Sequence, residues 1–283
     1  MSLQPATASD NAAVSNAGAM LLAAETAMRE RAPERAVLAA QRAVALREDD
    51  FSGAPSRATR ALLVDAVLAL ASGQLALGNH AATATSLTEL RRHLEAGDRG
   101  DPTWQARAAA VTRLSIGLFQ TTGRHAEAIG AIEQALASIA VKSPEADAGR
   151  LQLLTTLLRS RLSLGEGQQA AADVARCLDV LARLAKVMPP RAAAVSRASI
   201  LLQAANAALL RAAPLEADAT FGEALGIVEK LGGGDLDDLK MQIRQTWIRA
   251  LNQQGRAAEA GALLLRRHAA RHDHPADCAC GAH

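Results

Sequence analysis

The stretch Gly123-Arg-His-Ala-Glu-Ala-Ile-Gly-Ala-Ile-Glu-Gln-Ala-Leu136 decides the fold, because variants of it return at intervals of roughly forty-odd residues. The other copies are Arg31-Ala-Pro-Glu-Arg-Ala36 followed by Ala43-Val44, Glu216-Ala217 followed by Ala224-Leu225, and Gly255-Arg-Ala-Ala-Glu-Ala260. A repeat of this size is typical of a stacked helical solenoid, in which each unit packs on its neighbours.

The composition favours an all-α protein. Of the 283 residues 49% are hydrophobic, yet only 2% are aromatic and tyrosine is absent. Much of the apolar content is alanine, which has the best intrinsic helix propensity and allows helices to approach closely. The length would allow two globular domains, but a repeat array can form one continuous unit. We therefore predict a single repeat domain over residues 10–272, between a flexible N-terminus (1–9) and a C-terminal tail (273–283).

The charge balance, the lengths of the apolar stretches and the cysteine count argue against nucleic acid and membrane partners and indicate a cellular location. The formal net charge is +2, which gives no global electrostatic case for binding nucleic acid. No stretch approaches the eighteen or so uninterrupted apolar residues of a membrane span, and Met1 to Asp10 lack the features of a signal peptide. Three cysteines, two of them in the tail, form no disulfide framework. A cytoplasmic location without a membrane partner is the expectation.

Glycine and proline punctuate apolar patterns of helical period and predict six helix pairs. The predicted first helices cover 10–30, 55–77, 102–122, 144–164, 190–211 and 235–253, and the second helices cover 33–48, 80–96, 124–140, 167–187, 214–231 and 256–272. Asp101, Ser143 and Asp235 are candidate N-caps.

This pattern resembles the tetratricopeptide repeat (TPR) family over most of residues 10–272. In that family the second helix of each unit opens with glycine, continues with Glu-Ala and later shows Ala-Leu. In this chain the matching residues are Gly123, Glu127, Ala128, Ile129, Ala135 and Leu136. The units here are longer than the 34 residues of the family. Their first helices lack its usual tryptophan and tyrosine, and Thr83 replaces an expected alanine. The long units are similar to those of kinesin light chains and of bacterial regulators, which implies a right-handed α-solenoid.

The resemblance also implies a binding face, because in that family the first helices line a concave groove that holds extended peptides or helices. The groove positions transferred to this chain are Asp65, Arg113, Gln120, Gln152, Arg159, Ser199, Asn206, Gln242, Gln245, Arg249 and Asn252. Arg159, Asn206 and Arg249 fall at nearly the same place in three successive units, with Arg113 one helical turn away. Guanidinium groups in a row suit carboxylates, on acidic side chains or at a chain terminus. The alternative is a solvated polar face that keeps the helices soluble.

A second basic set recurs near the starts of consecutive first helices. It comprises Arg107, Arg150, Arg197 and Lys240, which share a helix face with core leucines. We predict a structural role for this set, in which the long stems cover apolar surface while the charges reach water.

The tail is the only part of the sequence in which potential metal ligands cluster. His268, His272, His274, Cys278, Cys280 and His283 lie within sixteen residues, and two thiolates with two imidazoles could complete a tetrahedral site for Zn or Cu(I). The spacing is not that of a standard zinc finger, and Cys-x-Cys-Gly resembles only the opening of a short C-terminal zinc motif. A flexible terminus with incidental ligands and a redox pair are the other interpretations of the tail.

No catalytic arrangement emerges from the sequence. A phosphate-binding loop with its lysine, a His-Glu-x-x-His pair and a Gly-x-Ser-x-Gly elbow are all missing. His80 and His125 are assigned to turns, Cys177 to a small buried position, and Trp104 and Trp247 to packing. The sequence thus predicts a non-enzymatic scaffold that binds an acidic peptide or protein segment. The alternative is a metal-handling or maturation accessory that uses the tail, and a sensor with a small ligand in the groove stays open.

Overall fold

The computed structural model describes residues 8–97, 100–139, 141 and 143–272, and the side chains of 8–15 and 266–272 lie outside that description. Within these residues the chain forms twelve α-helices and no strand: α1 (Ala8–Arg29), α2 (Pro33–Gly53), α3 (Arg57–Ala76), α4 (His80–Glu95), α5 (Pro102–Thr121), α6 (His125–Ser138), α7 (Pro144–Ser163), α8 (Gly167–Leu184), α9 (Pro190–Leu210), α10 (Pro214–Leu231), α11 (Asp237–Gln253) and α12 (Ala257–His272). One 3₁₀ turn, Gly234–Leu236, precedes α11. The prediction of an all-α chain of helix pairs is confirmed.

Each helix pair is joined by a turn that contains one residue with a positive φ. These residues are Arg31, Gly78, Gly123, Gly165, Ala212 and Gly255. Glycine adopts this left-handed conformation without steric penalty, which explains its recurrence at the turn. The two copies without glycine instead have a proline two residues later, Pro33 or Pro214, as the first residue of the next helix.

The chain divides after Ser138 into two compact units, and each unit has its own core. Unit 1 contains α1 to α6, and one cluster of buried side chains in it includes Leu63, Leu87, Leu90 and Trp104. Unit 2 contains α7 to α12, and its cluster is centred on fully buried Phe221 and Ile243. Fully burying one such side chain contributes about 2 kcal/mol, so the repeated apolar positions of the helix pairs account for the stacking.

The packing order within each unit places the first helices side by side. In unit 1, α3 contacts both α1 and α5, and in unit 2, α9 contacts both α7 and α11. The second helices pack mainly between the first helix of their own pair and the first helix of the next. Each unit therefore has a layer of neighbouring first helices, which is the layer predicted to carry the binding residues.

Local signals in the sequence located the helix starts with one exception. Asp101 accepts a hydrogen bond from the Thr103 amide at 2.9 Å, and Ser143 accepts one from the Ala146 amide at 3.2 Å, as expected of N-caps. The prediction for Asp235 is wrong, because α11 begins after the 3₁₀ turn and has no side-chain cap. The Asp235 carboxylate instead accepts a hydrogen bond from Arg191, at 2.7 Å.

Helices α3 and α9 are each long and apolar enough to cross a membrane, judged by length and composition alone. Both are the central first helix of their unit and are flanked by neighbouring helices. Val64, Val67 and Ala71 of α3 and Ala205 and Ala208 of α9 are buried. Their apolar composition is accounted for by this core position.

Candidate functional site

Six polar residues occupy two equivalent positions on the first helices of unit 2. Arg159, Asn206 and Arg249 each lie four residues before the last residue of their helices, which end at Ser163, Leu210 and Gln253. Gln152, Ser199 and Gln242 lie seven residues earlier on the same helices, so two helical turns separate the two rows on one helix face. Because α9 contacts both α7 and α11, each row crosses three adjacent helices.

We call this surface the amide-arginine face and define it as Gln152, Arg159, Ser199, Asn206, Gln242, Gln245, Arg249 and Asn252. All of these side chains are exposed except Ser199 and Asn206, which are half-buried. The predicted unit 2 residues thus lie on a shared helix layer, in the order that the repeat spacing implied.

Ion pairing separates two arginines of the amide-arginine face from the others in unit 2. Nine of the eleven arginines whose side chains are described in unit 2 pair with a carboxylate: Arg150, Arg161, Arg176, Arg183, Arg191, Arg197, Arg211, Arg244 and Arg256. Arg159 and Arg249 have no carboxylate partner among the described residues. Their guanidinium groups are therefore available to an external anion.

The distribution of acidic residues explains this difference. In α7 and α11 the acidic residues lie only in the first turn, and α9 has none. The carboxylates that neutralise the paired arginines come mainly from the second helices, as with Asp173 of α8, Glu223 of α10 and Glu229 of α10. The layer of first helices in unit 2 is consequently free of carboxylates beyond its helix starts.

A shallow depression lies at the α11 end of the face. It has a volume of about 600 Å³ and is lined by Gln245, Ile248, Arg249, Asn252, Gln253 and Leu264. Three members of the amide-arginine face therefore share one concavity. The sequence did not single out Ile248, Gln253 or Leu264, although Leu264 belongs to an apolar run on α12 of which Leu264 and Leu265 are exposed.

In unit 1 the predicted groove positions have diverse environments. Arg113 is exposed on α5 and has no ion pair within the part of the chain that the structure describes. Asp65 is not available, because Arg107 donates two hydrogen bonds to its carboxylate, at 2.8 and 2.7 Å. Gln120 is half-buried and has an interaction partner. We therefore restrict the candidate site to unit 2.

The three arginines of the second basic set have structural contacts, as predicted, and each of them is held in an ion pair. The Arg107 guanidinium lies 5.8 Å from the centroid of the Trp104 ring while it pairs with Asp65. Arg150 pairs with Asp147 and donates to two backbone carbonyls, and Arg197 pairs with Glu223. The prediction that the charges reach water is wrong for Arg107 and Arg150, whose side chains are only 19% and 18% exposed and pair with carboxylates. Arg197 also has a carboxylate partner, but its side chain is 50% exposed and its charge does reach water.

Asp147 is the centre of a further charged cluster at the start of α7. It accepts hydrogen bonds from Arg183 of α8, at 2.9 and 3.2 Å, and from Arg150 at 2.8 Å. These two guanidinium groups, Arg183 first, lower the pKa of the Asp147 carboxyl from 3.8 to about 2. The cluster lines a depression of about 460 Å³. Arg183 also pairs with Asp179 of α8, so two carboxylates match the two guanidinium groups and the cluster offers no free anion site.

The cysteine, tryptophans and histidines that the sequence analysis assigned to structural positions lie at such positions. Cys177 is fully buried, and burial raises the pKa of its thiol to about 12, which makes it inert as a nucleophile. Trp104 donates to the Leu94 carbonyl at 3.1 Å, and Trp247 stacks on Phe221 with a centroid separation of 5.9 Å. His80 and His125 are half-buried at the first positions of α4 and α6.

The predicted metal ligands of the tail lie largely outside the described residues. His274, Cys278, Cys280 and His283 fall in 273–283, and His268 and His272 belong to α12 but their side chains are not described. Among the described side chains, no group of three or more His, Cys, Asp and Glu is arranged to hold a metal ion. The metal hypothesis stays a prediction from the sequence.

Known structures share this fold. BtubC (BKLC) from P. vanneervenii superposes with a TM-score of 0.59 and 18% identity over 89% of this chain and 97% of that one. A Podosopora anserina protein with nearly identical kinesin light chain TPR-like repeats gives a TM-score of 0.58 and 20% identity over 75% and 94% of the two chains. No protein family model and no curated protein matches the sequence. The predicted TPR-like fold is thus confirmed, and at these identities the likeness concerns the fold.

Proposed function

We propose that this chain is a non-enzymatic interaction scaffold that binds an acidic peptide or protein segment on the amide-arginine face of unit 2. The TPR-like fold is that of a protein-interaction scaffold, because stacked helix pairs present an extended surface built from many side chains. One observation carries the preference for an acidic partner: of the unit 2 arginines whose side chains are described, Arg159 and Arg249 are the two without a carboxylate partner.

Charge-assisted hydrogen bonds to unpaired arginines favour an acidic partner. An arginine that already pairs with a carboxylate must break that contact to bind another anion, whereas an unpaired exposed arginine gives up only water. A hydrogen bond to a charged group contributes about 1.5–3 kcal/mol, and the planar guanidinium can bind a carboxylate through two parallel bonds. Two such arginines on a surface without carboxylates therefore favour an acidic segment over a neutral or basic one.

The interaction is tested with capped peptides of equal length that carry either glutamate or glutamine at the same positions, titrated against the full chain. We expect the glutamate peptide to bind more tightly than the glutamine peptide. The Arg159→Ala, Arg249→Ala double variant should lose at least about tenfold in affinity for the glutamate peptide, because each tenfold change corresponds to about 1.4 kcal/mol. Its helical circular dichroism should be unchanged, since both side chains are exposed.

A matched control removes the same charge elsewhere in unit 2. Lys186, just after α8, and Lys230, in the last turn of α10, are both exposed. The Lys186→Ala, Lys230→Ala variant should bind the glutamate peptide like the wild type. Equal losses in the two double variants would mean that the net charge, and not the amide-arginine face, attracts the peptide, and the proposal would then fail.

A further inference from the structure

We infer that the partner presents two acidic groups about 20 Å apart on an extended segment that crosses α7, α9 and α11. This inference rests on the proposed function and adds the geometry of the partner. Arg159 and Arg249 occupy the same helical position in alternate first helices, and Asn206 occupies that position in the helix between them. Across α7, α9 and α11 the row therefore consists of an arginine, an asparagine and an arginine.

The separation follows from the packing of the helices. Axes of packed helices lie about 8–10 Å apart, so two successive steps place equivalent residues of α7 and α11 about 16–20 Å apart. An extended peptide rises about 3.3 Å per residue, and successive side chains alternate between its two faces. Two acidic side chains six residues apart would thus lie about 20 Å apart on one face, each within reach of one arginine.

The uncharged members of the face favour an extended segment over a helical one. Asn206 lies between the two arginines, and Gln152 and Gln242 occupy the flanking row, with no side-chain hydrogen bond to another described residue. A carboxamide donates and accepts, so it can pair with the backbone N–H and C=O groups of a peptide. Those groups are free in an extended segment, whereas a helix satisfies nearly all of them internally.

The spacing is tested with capped 18-residue peptides of alanine, serine and glutamine that carry one glutamate, or two glutamates separated by three, six or fourteen residues. A separation of fourteen residues spans about 21 Å on one face of a helix and represents a helical partner. Titrated by NMR at low ionic strength, the peptide with six-residue spacing should bind at least about fivefold more tightly than the others. In Arg159→Ala and in Arg249→Ala this advantage should disappear and the affinity should equal that of the single-glutamate peptide.

Asn206→Ala tests the backbone contact separately. It should weaken the peptide with six-residue spacing several-fold while that peptide stays the preferred one, and an unchanged affinity would overturn the assignment of an extended segment. Tightest binding at fourteen residues would overturn it as well.

Failure of the spacing and failure of the proposed function are distinguishable. If all peptides with two glutamates bind equally and the double arginine variant still loses affinity, the spacing is wrong and the acidic preference stands. If no glutamate peptide binds more tightly than a glutamine peptide, the proposed function itself is wrong.

Discussion

The buried side chain of Trp104 leaves no room for a side chain at Gly97, in the loop between α4 and α5. A Cβ atom at this position would lie 1.8 Å from the Cε2 and Nε1 atoms of Trp104, which is only 4% exposed and donates to the Leu94 carbonyl. Gly97→Ala should therefore displace the indole ring and destabilise the protein by about 1–3 kcal/mol, the usual cost of overpacking. Urea denaturation followed by circular dichroism measures this change in the free energy of unfolding.

Replacing Gly130 with alanine should instead raise the free energy of unfolding. Gly130 is exposed in the middle of α6, and apart from its chain neighbours and the adjacent helix backbone no atom lies within 4 Å of the position that its Cβ would take. Alanine there should stabilise the helix by about 0.5–1 kcal/mol, because glycine loses more backbone entropy on folding. Destabilisation of similar size in both variants would contradict the packing of Trp104 against Gly97.

At the scale of the helices, periodicity and punctuation predicted most boundaries within a few residues, because both signals are local. Helix α2 is the instructive exception, since it continues to Gly53 and not only to residue 48. Its extension includes Asp50, which pairs with buried Arg47 at 3.0 Å. It also includes Phe51, whose ring centroid lies 5.9 Å from that of His93 of α4 in an edge-to-face arrangement. The contact with His93 lies beyond any local window, so the sequence pattern could not reveal it.

Asp147 gives the contact between α7 and α8 a measurable pH dependence. Because its carboxyl pKa is lowered from 3.8 to about 2 in the folded chain, the unfolded chain binds the proton more readily. The contribution of Asp147 to stability is therefore fully present above about pH 5 and is lost as the pH falls from about 4 towards 2. The difference in unfolding midpoint between the wild type and Asp147→Asn should shrink over this range.

A control carboxylate isolates this effect. Asp238 also lies in the first turn of a first helix, α11, but is exposed and has no ion pair among the described residues. The thermal midpoints of Asp238→Asn should run nearly parallel to those of the wild type between pH 6 and pH 3. A constant offset for Asp147→Asn over the same interval would show that the pairs with Arg183 and Arg150 do not lower its pKa.

At the scale of the molecule, the repeat predicted where the candidate face lies but not which of its arginines lack a carboxylate partner. The equivalence of Arg159, Asn206 and Arg249 follows from counting residues back from each turn, and the helix ends bear out that count. Whether an arginine is free depends on carboxylates far away in sequence, as when Arg107 pairs with Asp65 42 positions earlier. A single sequence contains no signal for such pairs, so it could not separate Arg159 and Arg249 from the neutralised arginines.

Unit 2 should fold and bind its partner as a separate molecule. The predicted domain spans residues 10–272, yet unit 2 contains its own core around Phe221 and all members of the amide-arginine face. Because each repeat draws its stability from contacts with its neighbours, residues 139–283 expressed alone should fold to a helical protein. Its affinity for the glutamate peptide should lie within about twofold of that of the full chain, a difference below about 0.5 kcal/mol. A helical protein that no longer binds the peptide would show that unit 1, where Arg113 lies exposed, contributes to recognition.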